Sequence, residues 1–167
     1  SWIQLTYWNF PLDYKFATEG DGTAEWNPNG TSVENPIMSG QVFDDSGFTI
    51  TSGVTGYGTI KVRGTIIVGS ATLELTNTYT TGLGGNYVSV VTTLKNIGAT
   101  SVSNLRFWIG TRDDYVGGTD SPTKQRGNLT NGAFAPLTAT TQRAAALLIK
   151  TADEGVLFFS NSFLVNN

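Results

Sequence analysis

Six charged side chains fall within fifteen residues of a chain that is otherwise short of charge. They are Arg112, Asp113, Asp114, Asp120, Lys124 and Arg126, in the stretch FWIGTRDDYVGGTDSPTKQRGN from 107 to 128. Four chemistries fit these residue types. Asp113, Asp114 and Asp120 bracket YVGGT, whose glycines permit sharp turns, and such a set suits a hard cation such as Ca²⁺, caged by carboxylates and backbone carbonyls. The spacing is not that of the twelve-residue EF-hand loop. The same carboxylates beside Arg112, Lys124 and Arg126 also suit an internal staple without metal, in which Asp side chains accept from nearby amides and the cations clamp them. The compensating charge favours that structural account. A third possibility is a ligand loop, with Trp108 and Tyr115 stacking on a sugar ring and Arg112, Lys124 and Arg126 beside them. The fourth, general acid–base catalysis, fits worst. Adjacent Asp113 and Asp114 point to opposite faces of an extended chain, as Asp44 and Asp45 do. A glycoside hydrolase needs two carboxylates about 5 to 9.5 Å apart, and no spacing here advertises that pair.

Composition narrows the field. The chain has no Cys and no His, which excludes a disulfide framework, a thiolate nucleophile, the usual zinc ligands and any Ser-His-Asp arrangement. Only oxygen ligands remain for a metal, so no cofactor is expected unless it is Ca²⁺. Charged residues make up 14% of the 167 while Thr occurs 25 times, and the net charge is -3. Solubility must then rest on hydroxyls and amides, and nucleic acid is not an expected partner. The longest apolar runs, such as AAALLI at 144–149, fall far short of the about 18 residues of a membrane span. The start at Ser1 and the stop at SFLVNN suggest a piece processed or excised from a longer chain. Asn29-Gly30-Thr31 and Asn128-Leu129-Thr130 are glycosylation sequons, used if a eukaryotic host secretes the protein.

The elements that must position these residues read as strands. TIKVRGTIIVG (59–69), ATLELTNTYTT (71–81), NYVSVVTTLKN (86–96) and VSNLRFWIGTR (102–112) alternate apolar and polar residues and are joined by short turn-forming links, which predicts an antiparallel meander. The expected core contains Leu73, Leu75, Val88, Val90, Leu94, Leu105, Phe107 and Ile109, leaving Trp108 on the other face. GQVFDDSGFTITS (40–52) reads as a hairpin with DDSG at its turn. GAFAPLT (132–138) is a short extended piece, and TTQRAAALLIKT (140–151) has the composition of a helix, but ALLIK followed by EGVLFFS reads as two strands about TADEG, the favoured reading. Residues 8–36, rich in Gly and Pro with little periodicity, predict mostly loop, and Arg112 to Asn128 predicts a long loop held by its own charges.

TLELTNTYTT and VSVVTTLKNIGATSVSNLRFWIG, covering about 71–110, resemble the strand, N-x-G turn, strand arrangement of Ig-like and related β-sandwich modules of large extracellular and cell-surface proteins. The resemblance implies a stalk, packing or adhesion module and carries no functional residues. The absent Cys pair departs from true Ig domains. The sequence therefore reads as one all-β domain over 1–167, an antiparallel β-sandwich of jelly-roll or Ig-like type with a long loop-rich N-terminal segment. The expected function is a non-enzymatic structural or assembly module of an extracellular fibre, adhesin stalk, surface layer or virion, whose partners are neighbouring subunits. The alternative is a carbohydrate- or peptide-binding module that uses Ca²⁺, and a hydrolase ranks third.

Overall fold

The computed structural model of the chain describes residues 5–6, 12–20, 30–51, 55–111, 115–139 and 141–160. Among the described residues there are strands and turns and no helix. The chain falls into two compact units, one of Lys15–Phe107 and one of Ser1–Tyr14 with Trp108–Asn167.

In the Lys15–Phe107 unit, β3 (Ser39–Ile50), β4 (Gly56–Val68), β5 (Ala71–Thr81) and β6 (Ser89–Asn96) form an antiparallel sheet in the order β3-β4-β5-β6. Gly69 takes φ 61 in the two-residue turn Gly69–Ser70 between β4 and β5, a conformation that costs a Cβ-bearing residue about 1–2 kcal/mol. The period-two reading of β5 holds: Ala71, Leu73, Leu75 and Asn77 are buried. Cross-strand register carries that face to Val68, Ile66, Gly64 and Val62 on β4 and to Leu94 and Thr92 on β6.

A second sheet has the order β2-β1-β7, from β1 (Leu12–Thr18), β2 (Thr31–Glu34) and β7 (Arg106–Thr111). β1 and β2 pair antiparallel, with Lys15 opposite Glu34. Lys15 is almost wholly buried, and its Nζ meets Glu34 Oε1 at 3.0 Å, so its charge enters the interior with a partner. Phe16, Ala17 and Thr18 are buried as well.

The other unit holds a sheet in the order β11-β10-β8-β9, from β8 (Thr123–Thr130), β9 (Ala133–Pro136), β10 (Ala146–Lys150) and β11 (Gly155–Phe159). Asn131 and Gly132, at φ 52 and 79, make the tight β8–β9 turn, the left-handed pair that an Asn-Gly dipeptide adopts with least strain. Val116, Ala146 and Ile149 are its buried apolar residues.

The two-strand reading of 140–160 about TADEG is borne out, since β10 pairs with β11 and no helix occurs among the residues described there. Several other expectations change. DDSG is not a turn: β3 runs through it as one strand with a register shift between Asp44 and Gly47. Asp44 Oδ1 accepts from the Ser46 amide at 3.2 Å and the Ser46 hydroxyl at 2.6 Å, so the extra residue is satisfied locally, as in a bulge. The fourth strand of the meander is β3, whereas β7 joins β1. The connection before β7 is drawn to the end of β1 by Glu19 N donating to Ser103 O at 3.1 Å, Asn104 Nδ2 to Gly20 O at 2.8 Å and Arg106 Nη2 to Glu19 O at 2.7 Å. Val88 and Leu105, expected in the core, lie outside the strands and are exposed, while Val90, Leu94, Phe107 and Ile109 are half-buried. The N-terminal segment, expected to be mostly loop, contains β1 and β2.

Candidate functional site

The charged stretch is divided by the fold. Trp108 and Ile109 end up half-buried on β7, and Tyr115 is half-buried beyond it. Arg112, Asp113 and Asp114, like the sequon residue Asn29, lie outside the described residues. From Thr123 onward the stretch is not a loop: Lys124, Arg126 and Asn128 belong to β8, an interior strand flanked by β10 and β9. A strand is possible there because Gly127 leaves room for its neighbour. A Cβ on Gly127 would stand 2.5 Å from the Phe134 ring and from Ala135 O.

Register pairs Lys124 with Ile149 and Arg126 with Leu147, so the two cations share a face of β8 two residues apart. Both are exposed, and Arg126 Nη2 donates to Gln142 O at 2.8 Å. Asn128 is half-buried, and its Oδ1 accepts from Ala145 N at 2.9 Å, which ties the chain before β10 to β8.

Between β7 and β8, backbone hydrogen bonds join a side-chain one, in which Ser121 N donates to Thr119 Oγ1 at 3.1 Å. Val116 N donates to Thr119 O at 3.1 Å around Gly117 and Gly118, whose φ values of 60 and 85 put both in left-handed positions. Gly117 N donates to Leu5 O at 3.1 Å, and Val116 bridges to Thr6. Gly117 also backs onto the β10–β11 turn, where a Cβ would meet Glu154 Oε2 at 2.9 Å and Thr151 Oγ1 at 3.0 Å. Glu154 serves that turn: its Oε2 accepts from Thr151 Oγ1 at 2.9 Å, and Thr151 N donates to Glu154 O at 2.9 Å. Asp120 is exposed, and among the described residues no group of three or more carboxylates converges as a metal cage would require.

The β3–β6 sheet carries a feature that strand-by-strand reading of the sequence misses. Register sorts its side chains into two faces, of which the one with the paired charges also holds exposed Val42, Ile67 and Val91. One face carries Asp44, Lys61, Arg63, Glu74 and Lys95, with Thr59, Thr65, Thr72, Thr76, Thr78, Thr80 and Thr93 between them. Thr59 and Thr80 are hydrogen-bonded through their hydroxyls at 3.2 Å, and Arg63 Nη1 stands 3.9 Å from Glu74 Oε2.

No family model, curated protein or solved structure matches this chain. Its chemistry has to be read from its own surfaces.

The opposite face of the same sheet has no charged residue on β4, β5 or β6, while on β3 the exposed Asp45 lies in the irregular stretch between Asp44 and Gly47. This face runs from Ile66, Val68, Leu73 and Leu75, all buried, through Val62, Ile60, Tyr79 and Val90, all half-buried, to Phe43 at 69% and Ile50 at 76% exposure. The polar Asn77 is neutralised within the face, since Thr92 Oγ1 donates to its Oδ1 at 2.8 Å. The signal was present in the sequence as even positions 60, 62, 66 and 68 of β4. Only the register shifts of β3 reveal that Phe43, Phe48 and Ile50 join them.

Proposed function

We propose that the chain is a non-enzymatic structural or assembly module, of the kind that builds extracellular fibres, adhesin stalks, surface layers or virions by packing against neighbouring subunits. The carrying observation is the more apolar face of the β3–β6 sheet, whose stripe of apolar side chains continues past the buried end into solvent-exposed Phe43 and Ile50. An apolar patch of this continuity on a folded surface marks a place where something packs. The Thr-rich opposite face supports the same reading, because hydroxyls keep one side wet while the other is free to dock. A jelly-roll or Ig-like sandwich is the architecture that we infer for the working protein, with sheets paired face to face.

Probing the folded chain on saccharide and peptide arrays, in Ca²⁺ and in chelator, tests this function. The assembly reading expects no saturable binding at micromolar concentration. A saccharide retained with a Kd in that range, and lost in chelator, replaces it with the carbohydrate-binding alternative.

A further inference from the structure

We infer that Asn131 is a latent modification site, an asparagine held back from deamidation by the β8–β9 turn and released to it when that hairpin opens. The inference goes beyond the assembly reading and does not depend on it.

Asn131-Gly132 is one of two Asn-Gly dipeptides in the chain, the other being Asn29-Gly30. Glycine carries no Cβ to shield its own nitrogen, which leaves that nitrogen free to attack the preceding side chain. The reaction begins when the Gly132 nitrogen bonds to Asn131 Cγ and gives up its proton to hydroxide. The tetrahedral intermediate expels the side-chain nitrogen as ammonia, which takes its last proton from water, and a five-membered succinimide remains. Water then opens the ring. Cleavage at Cγ gives aspartate, and cleavage at the main-chain carbonyl gives isoaspartate, whose backbone runs through the former side chain. One water enters, one ammonia leaves and a negative charge is gained, with no change of oxidation state.

The type of turn decides whether the ring can close. Closure needs the Gly132 nitrogen on the same side as the Asn131 Cβ, the ψ of about −120° that the first central residue of a type II′ turn adopts. In a type I′ turn that residue has ψ of about +30°, which points the nitrogen away. The φ of Asn131, 52, fits both types, but that of Gly132 separates them: 79 belongs to type I′, and type II′ requires a negative value. Thr130 opposite Ala133 closes the pair as a two-residue loop, and the ladder runs on to Gly127 opposite Pro136. Phe134 fastens β9 from its own side, with its ring over the place where Gly127 has no Cβ. Asn131 is exposed, so water and base reach it and the turn geometry is what withholds reaction. Isoaspartate adds a main-chain carbon for which a two-residue loop has no place, so the reaction, once complete, keeps the hairpin from closing again.

Holding the whole 167-residue chain in mildly alkaline buffer, folded and in urea, tests the inference, with peptide mass spectrometry following Asn131 separately from Asn29. Conversion of Asn131 is expected to be at least about tenfold slower in the folded chain. Phe134→Ala, which takes the ring from Gly127, is expected to speed it several-fold while the amides of β10 and β11 stay protected from exchange. A folded chain purified with isoaspartate at 131 is expected to lose exchange protection in β9, whereas Asn131→Asp, with its normal backbone, keeps it. Equal rates in the folded and urea-treated chains overturn the inference. So does a Phe134→Ala chain whose β9 amides exchange faster while Asn131 does not, and so does an isoaspartyl chain with β9 as protected as the parent's. Should Phe134→Ala unfold altogether, the urea comparison and the isoaspartyl chain decide between them.

Discussion

Phe16 on β1 and Phe107 on β7 stack, their ring centroids 4.9 Å apart and their planes inclined by 18°. Phe16 is wholly buried and Phe107 half-buried. The pair joins two strands far apart in sequence, so it is a long-range anchor of the Lys15–Phe107 unit. Phe16→Ala is expected to cost about 3–5 kcal/mol by urea denaturation, and Phe107→Ala less, in keeping with its partial exposure. A double-mutant cycle should return a coupling of about 0.5–1.5 kcal/mol; strict additivity would show that the stack contributes nothing beyond burial.

Asn77 and Thr92 make a polar contact inside the more apolar face of the β3–β6 sheet. Thr92→Val takes the hydroxyl donor from a buried amide oxygen and is expected to cost about 1–3 kcal/mol. Adding Asn77→Leu should restore much of that loss, because both polar groups then leave together. Thermal unfolding of the single and double variants decides it, and a double variant weaker than the single speaks against the pairing.

The two Ser46 hydrogen bonds, side chain first and then backbone, hold the Asp44 carboxyl below its ordinary pKa, with Lys61 and Arg63 assisting. A carboxylate depressed in the folded state stabilises it above the unfolded pKa, and that contribution is lost as pH falls through the folded value. Asp44 is fully exposed, so the effect on stability is small and its titration is the better readout. Carbon-detected NMR should place its midpoint below the ordinary aspartate range, and Ser46→Ala should raise it. An unchanged midpoint in the variant would remove the bulge as the cause.

Gly58 and Gly118 separate backbone strain from steric clash. Both have left-handed φ, 118 and 85. A Cβ at Gly118 meets nothing within 4 Å, so Gly118→Ala should cost only the conformational strain, about 1–2 kcal/mol. A Cβ at Gly58 would collide with Gly47 O on the neighbouring strand, so Gly58→Ala must part β3 from β4. Amide exchange along β3 should accelerate in that variant and stay unchanged in Gly118→Ala.

What could be read from the sequence follows from how each strand is exposed. β5 and β6 have one face more sheltered than the other, so alternation marked both their existence and the inner side of Leu73, Leu75, Val90 and Leu94. β1 buries Lys15, Phe16, Ala17 and Thr18 in succession, and consecutive burial erases the period-two signal. β8, TKQRGNLT, is flanked by strands on both sides but has only Gly127 buried, so it looked like polar loop. DDSG is a common turn composition, and here a bulge uses the same local bonds that a turn would. The two-faced chemistry of the sheet was hidden for that reason: a register shift changes which side the following residues of β3 occupy.

The partnership of β1 with β7 also orders events in time. β1 leaves the ribosome before any other described strand, and β2 follows soon after to cover one of its edges. Its other edge, with Phe16, must wait until the whole β3–β6 meander and the connection after it have been synthesised. At about 5–20 residues per second that wait lasts several seconds, far longer than hairpins of the meander take to form. The nascent chain thus carries an unsealed apolar strand beside an already folded sheet. That interval makes β1 the segment most open to a chaperone, or to the β7 of a neighbouring nascent copy.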